Sequence, residues 1–388
     1  MPKITVAQIA NQLKDCLGRE KIEAQGRRSG FERRSARVIG TTAFLSSLLK
    51  SLGTRKVTFL AELHRDFNAD HGTEVNYKPF YERLDSPGFV ELTRSLCEDF
   101  LNELSREVLL PSAGSLLADF DDILLHDGTS FALHDALKRT FPGRFTANKP
   151  AAVELHATMS LKRDNLVNLT LAADCESERL YAPEPAGLTN CLLLADRGYD
   201  STAYMQAIVE ASGSFCIRVR STLNPEVARI ARKGTVYRKL EGKRLNDVIK
   251  KLPKGKVHDL DVVWRDGRGQ ETRSFRLVLS YNRKDKRWTR LMTNLPRDRA
   301  SCDVICSLYR LRWQVELYFK ELKSYANLHE FQTRKPHIAE GLIWASLCAA
   351  FLKRYIAHGC QLAASEHAIS TQRVATCSVS PRRMTGLC

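Results

Sequence analysis

One stretch near the C-terminal end restricts the fold more than any other: residues 301–328, SCDVICSLYRLRWQVELYFKELKSYANL. Its periodicity predicts one continuous helix. At roughly 100° per residue, Tyr309, Arg312, Glu316 and Lys323 fall within about 60° of one another around the axis. Leu308, Leu311, Val315, Phe319 and Leu322 fill much of the remaining surface. Such a helix is suited to burial, yet it carries a carboxylate flanked by two cations and a phenol. A buried carboxylate is costly unless it is paired or binds a metal. What the stripe faces is therefore the central question.

The stretch before it reads as an α/β layer. Residues 120–126 form a short apolar strand-like run ending at Asp127-Gly128. Residues 153–161 and 165–173 follow as two strands joined by a turn around 162–164, and the chain breaks at 183–187. Residues 191–195, CLLLA, are a continuous apolar run ending at Asp196-Arg197-Gly198-Tyr199. Such a run suits a strand buried on both faces. A helix over 201–211 and a strand over 214–219 complete a mixed sheet.

Residues 216–300 hold 24 Lys/Arg against 9 Asp/Glu, an excess of 15 in a chain whose net charge is +16. Strands are expected at 262–264, 272–280 and 289–293, with a short helix at 245–251, so the segment reads as a mostly β insertion carrying its charge outward. An anionic polymer, most simply nucleic acid, is the natural partner.

Residues 1–110 read as helical. Helices are expected around 44–52, at 57–67, at 77–84 after a polar turn at 68–72, and at 89–104. Helix, turn, helix is compatible with a DNA-binding module but weakly specific. Arg27, Arg28, Arg33, Arg34 and Arg37 cluster around Phe31 in a segment suited to gripping phosphates. After the long polar-striped stretch, a helix is expected over 338–355, followed from Ala364 by a loosely ordered tail rich in Ser, Thr and Arg.

Two aspartates thus end strand-like runs, at the sheet end where ligands usually bind in open α/β folds. Glu316 is a third carboxylate, on the polar stripe. Three converging acids repel one another unless a cation joins them, and hard oxygen donors favour magnesium or manganese over zinc. Two such ions can activate a nucleophile and stabilise a leaving oxygen in phosphoryl transfer. Arg312 suits bidentate phosphate binding, Lys323 a point-charge contact, and the Tyr309 hydroxyl can bond a phosphate oxygen.

The spacing Tyr309-x2-Arg312-x3-Glu316-x6-Lys323 resembles the Y-R-E-K signature of the bacterial DDE transposases of insertion-sequence family four. Asp127 in LLHDGTSF and Asp196 in LLLADRGY resemble that family's first and second catalytic aspartates, and the order Asp, Asp, β insertion, Glu is also the family's. The likeness spans roughly residues 115–335. It implies an α/β, RNase H-like (retroviral integrase-like) core with a mostly β insertion and an N-terminal helical DNA-binding region. It also implies two magnesium ions (manganese substituting) on Asp127, Asp196 and Glu316, with Tyr309, Arg312 and Lys323 contacting phosphates near the cleaved end. The partners implied are double-stranded DNA, as terminal inverted repeats and target, and a second copy of the chain on paired ends. In some members a tryptophan of the insertion stacks on a flipped base; Trp288 and Trp264 are the candidates here.

The expected domains are 1–114, 115–215, 216–295, 296–335 and 336–388, the second and fourth together forming the core. The longest apolar run, residues 341–352, is too short to span a bilayer. The N-terminus lacks a secretory layout, so a cytoplasmic, nucleoid-associated protein is expected. The eleven cysteines form no CxxC pair and read as reduced thiols. Two other readings remain: an RNase H-like nuclease without strand transfer, and an inactive DNA-binding remnant.

Overall fold

The computed structural model describes residues 6–32, 39–103, 116–163, 165–231, 234–325 and 331–363. Arg33, Arg34, Arg37 and the stretch from Ala364 onward lie outside the described residues.

Among the described residues six helices come first: α1 (Val6–Leu17), α2 (Arg19–Arg28), α3 (Thr41–Thr54), α4 (Leu60–His71), α5 (Tyr77–Leu84) and α6 (Pro87–Glu103). The expected turn at 68–72 is mostly the last turn of α4, which ends at Gly72. Its polar residues are not loop residues. Asn68 caps the following segment instead, its Oδ1 accepting from Val75 N and Thr73 Oγ1 at 3.0 Å each. Phe31 also departs from expectation. It is not an exposed member of the arginine cluster but a core ring, 5.0 Å from Phe44 and 6.4 Å from Phe89. Burying an aromatic of this size outweighs any gain from leaving it among arginines.

The central layer contains β1 (Ile123–Ala132), β2 (Ala152–Ser160), β3 (Asn165–Ala173), β4 (Leu192–Ala195), α7 (Thr202–Glu210) and β5 (Ser214–Arg218). There follow β6 (Glu226–Ile230), α8 (Thr235–Arg238), α9 (Leu245–Ile249), β7 (His258–Arg265), β8 (Glu271–Asn282) and β9 (Arg287–Thr293). The nine strands among the described residues belong to one sheet, in the order β3-β2-β1-β4-β5-β9-β8-β7-β6. Strands β1, β4 and β5 run parallel, and β2 is antiparallel to both its neighbours. The strands of the basic segment extend this sheet, because β9 pairs antiparallel with β5. Strand β6 was not legible in the sequence. Its burial is broken, with Val227 and Ile230 inward and Ala228 and Arg229 exposed.

The apolar run of β4 is buried on both faces, as its composition demands. Leu192 and Leu194 pack with the N-terminal helices and the helices that follow the sheet. Leu193 and Ala195 pack with α7 and α9 on the other face. Each fully buried leucine contributes about 1.5–3 kcal/mol of transfer free energy.

The polar-striped stretch is two helices, not one: α10 (Cys302–Leu311) and α11 (Trp313–Tyr325). At the junction Arg312 N bonds Tyr309 O at 3.2 Å and Val315 N bonds Arg312 O at 3.3 Å. These are three-residue steps, so one tight turn interrupts the α-helical ladder. Helix α11 packs over β1, and α10 over β4, β5 and β8. The last helix, α12 (Pro336–Ala363), runs back along α6 and α3. The approach is close: a Cβ at Gly341 would lie 2.3 Å from the ring of Phe89. Among the described residues no helix is long and apolar enough to cross a membrane.

Candidate active site

The parallel pairing of β1 and β4 puts Leu125 opposite Leu194 and His126 opposite Ala195. The next residues on the two strands are Asp127 and Asp196. Each shares the facing of the leucine two places before it, which is the face covered by α10 and α11. Asp196 follows the end of β4, as expected. Asp127 does not end its strand: β1 continues to Ala132, paired throughout with β2. Asp-Gly here is therefore not a turn. A Cβ at Gly128 would lie 2.6 Å from Glu154 Oε1 on β2, so a larger residue here would have to displace that carboxylate.

The stripe of α10 and α11 meets these carboxylates directly. Arg312 Nη1 donates to Asp127 Oδ2 at 2.8 Å, and Nη2 donates to Glu316 Oε1. The Tyr309 hydroxyl donates to Asp196 Oδ1 at 3.0 Å. Gly128 N donates to Asp127 Oδ1 at 3.0 Å, so both oxygens of Asp127 are engaged. Lys323 Nζ donates to the carbonyl of Ser130, further along β1, at 3.1 Å. Five of the expected residues thus interlock, and Lys323 lies on the same strand's flank. Arg218, at the end of β5, was missed. Its Nη1 stands 3.7 Å from Asp196 Oδ1, and the signal was a basic residue closing the neighbouring parallel strand.

Burial pushes the Asp127 carboxyl up to about 6, against the pull of Arg312 and of the Gly128 N–H. Burial likewise raises the Tyr309 phenol, and it lowers the Lys323 ammonium. The Arg312 guanidinium is raised: burial opposes its charge, and Tyr309, Glu316 and the two aspartates outweigh that.

The donors at this site are hard oxygens, which suits magnesium or manganese. Asp127 is buried enough to gain from a further cation. Among the described residues, however, no three carboxylate, histidine or cysteine side chains stand close enough together to hold a metal ion. Arg312 bridges Asp127 and Glu316, while Asp196 is held by Tyr309. The chemistry of these donors would suit a divalent ion held by Asp127, Asp196 and Glu316.

Other expected residues lie apart. Arg27 and Arg28 are exposed at the end of α2. Trp288 is half-buried on the β8–β9 hairpin, with ring centroids 5.2 Å from Tyr281 and 5.8 Å from His258. Trp264 packs against Phe275.

The opposite face of the sheet carries a buried polar cluster that sequence reading passed over, although LLHDG and VELHATM spell it. His126 Nδ1 lies 2.9 Å from Thr158 Oγ1, and His156 stacks on Tyr181 with ring centroids at 4.2 Å. Burial holds both imidazoles neutral, lowering His126 to about 3 and His156 to about 4. The carboxyl of Glu154 is raised to about 7, by burial first and then by Glu178, with Arg144 (Nη2 to Oε2, 3.0 Å) opposing. The folded state therefore holds this proton more tightly than the unfolded chain. The resulting stabilisation is complete below the ordinary value of 4.5 and is lost as pH rises through about 7. Glu154→Gln is expected to match the wild type near pH 5 and to exceed it in stability at pH 8, as read from urea midpoints. An equal displacement at both pH values would contradict this.

Two aspartates that follow the paired His126 and Ala195 of adjacent parallel strands, with a third acid joined to Asp127 through Arg312 from the covering helices, form a carboxylate-centred site. Residues 118–352 match the family described as transposase DDE domain, and the chain belongs to that family. It is 47% identical over 62 residues to the transposase for insertion sequence element IS421 of Escherichia coli, a match covering 16% of this chain and 17% of that one. The chain thus spans about a sixth of the length of the first curated relatives it matches. It is 22% identical over 334 residues to the transposase for insertion sequence element IS231E of Bacillus thuringiensis subsp. finitimus, covering 76% of this chain and 68% of the relative. Among solved structures it is similar in fold to the piggyBac transposase in a synaptic complex with hairpin DNA, with a TM-score of 0.50 and 11% identity over 97% of this chain and 81% of that one.

Proposed function

We propose that this protein is a DNA transposase of insertion-sequence family four that cleaves DNA at the ends of its element and joins the freed ends to a target. The observation that carries the reading is the interlock of Asp127, Asp196, Tyr309, Arg312 and Glu316 across the β1–β4 edge and the α10–α11 junction. The strand order β3-β2-β1-β4-β5 supports an RNase H-like core, with residues 216–295 as its basic extension and residues 1–114 as a helical DNA-binding region.

In this reading Asp127, Asp196 and Glu316 hold two magnesium ions. When bound, these ions supply activation of the attacking oxygen and neutralisation of charge at the leaving oxygen. The chain's own residues do the rest. Arg312 and Lys323 grip phosphate oxygens beside the cleaved bond. Tyr309, released from Asp196, donates its hydroxyl to another. Arg27, Arg28, Arg33 and Arg34 add contacts to the DNA backbone at a distance from the chemistry. Trp288, on its exposed hairpin, stacks on a base displaced near the end. A second copy pairs the two ends, and the protein resides on the nucleoid in the cytoplasm.

The test is incubation of the full chain with a supercoiled plasmid carrying the DNA that flanks its gene, with and without magnesium. Metal-dependent breaks confined to the two element ends, followed by joining to a second plasmid, are expected. Breaks scattered at random would identify a nuclease without strand transfer. Specific binding with no break under any divalent ion would identify an inactive binding protein.

A further inference from the structure

Arg312 already has partners before any DNA arrives. The residue is 8% exposed, its guanidinium contacts Asp127 and Glu316 with one Nη each, and Nε is buried without a partner among the described residues. Each Asp127 oxygen thereby accepts one hydrogen bond, one from Arg312 and one from the Gly128 N–H. The guanidinium stands between the two carboxylates, where its charge and bulk compete with a divalent ion for them. Arg312 also sits in the tight turn that separates α10 from α11. Such interruptions let a helix adjust locally without unwinding.

We propose that Arg312 is a resident counter-cation: without DNA it occupies the place of a divalent ion between Asp127 and Glu316, and it yields that place by transferring to a DNA phosphate. This rests on the metal-dependent reading of the site given above. It adds a sequence of events. The ion binds weakly to the free protein, DNA draws Arg312 away, and the ion then binds tightly. By linkage the ion must tighten DNA binding by the same factor. A site closed in this way is protected from loading metal, and from cleaving, before the correct DNA is seated. The step is an exchange of ion pairs and makes or breaks no covalent bond.

The test is manganese binding to the full chain at pH 8, followed by electron paramagnetic resonance of the free ion. Wild type, Arg312→Met, Arg312→Gln and Asp127→Asn are compared, without DNA and with a duplex of the element end. Losing about one charge-assisted contact's worth of competition should tighten manganese binding roughly 10-fold in both Arg312 variants without DNA. Adding DNA should tighten binding in the wild type and leave the Arg312 variants nearly unchanged. Unchanged or weaker binding in both Arg312 variants, with Asp127→Asn still abolishing it, would overturn the exchange while leaving the metal site in place. Binding that ignores Asp127→Asn would overturn the metal site itself, and the exchange with it. Two variants are used because Met keeps most of the bulk without polar contacts and Gln is shorter but keeps some hydrogen bonding; circular dichroism verifies that each is folded.

Discussion

Replacing Glu316 by glutamine is expected to lower end cleavage by at least about 10³-fold while changing affinity for the end duplex by less than about threefold. The cleavage figure follows from losing a charged donor to a cation that stabilises the transition state, an effect of several kcal/mol, with each 1.36 kcal/mol worth a factor of about ten. The affinity figure follows from position. Glu316 is held by Arg312, and it carries a negative charge that contributes no attraction to phosphate. Glutamine keeps the length of the side chain, so the α11 surface over β1 should persist. Single-turnover cleavage of a labelled end, beside a mobility-shift titration of the same duplex, measures both. Cleavage within tenfold of wild type would remove Glu316 from the chemistry.

Arg276→Met is expected to destabilise the fold by about 3 kcal/mol, the lower end of the range for breaking a buried ion pair. Arg276 on β8 is 7% exposed and pairs bidentately with Asp259 on β7 at 3.1 and 2.9 Å. It also donates to the carbonyls of Leu295 and Ala300, at 3.0 and 2.7 Å, in the loop that leads into α10. Methionine would leave those two carbonyls without their donor. Asp259 would keep Arg297, at 2.8 and 3.0 Å, which is why the lower end of the range applies. The consequence is local as well as global, since this arginine ties the basic extension of the sheet to the start of the helix carrying Tyr309. Urea unfolding measures the loss; a shift below 1 kcal/mol would show that Arg297 alone holds the corner.

The site was legible because its chemistry is written in short, strongly patterned pieces. LLLA suits a strand buried on both faces, and helical spacing puts the residues at 309, 312 and 316 on one side. The strand at 165–173 and the helix at 77–84 were read with the bounds they have. What sequence could not show depended on neighbours distant in the chain. Asp127-Gly128 looked like the end of a strand because nothing local reveals that β1 runs on to Ala132 against β2. The break falls at Arg312, whose side chain bonds Asp127, 185 positions away. The return of α12 onto α6 is recorded locally only as a glycine, Gly341, within an apolar run. The polar cluster behind Asp127 was hidden because a strand's alternate residues, here His126, His156 and Glu154, are conspicuous only once the pairing of β1 with β2 is known.

The central claim is that Asp127, Asp196 and Glu316 act as ligands to a catalytic divalent ion. Its most direct test exploits ligand softness. A thiolate is a poor donor to magnesium and a tolerable one to manganese. End cleavage by Asp196→Cys is therefore measured in each ion in turn, beside wild type and Asp196→Ala. The account predicts that the cysteine variant is inactive in magnesium and recovers a substantial part of its activity in manganese, whereas the alanine variant stays inactive in both. Equal activity of the cysteine variant in the two ions, or manganese activity no greater than that of the alanine variant in a folded protein, would contradict it.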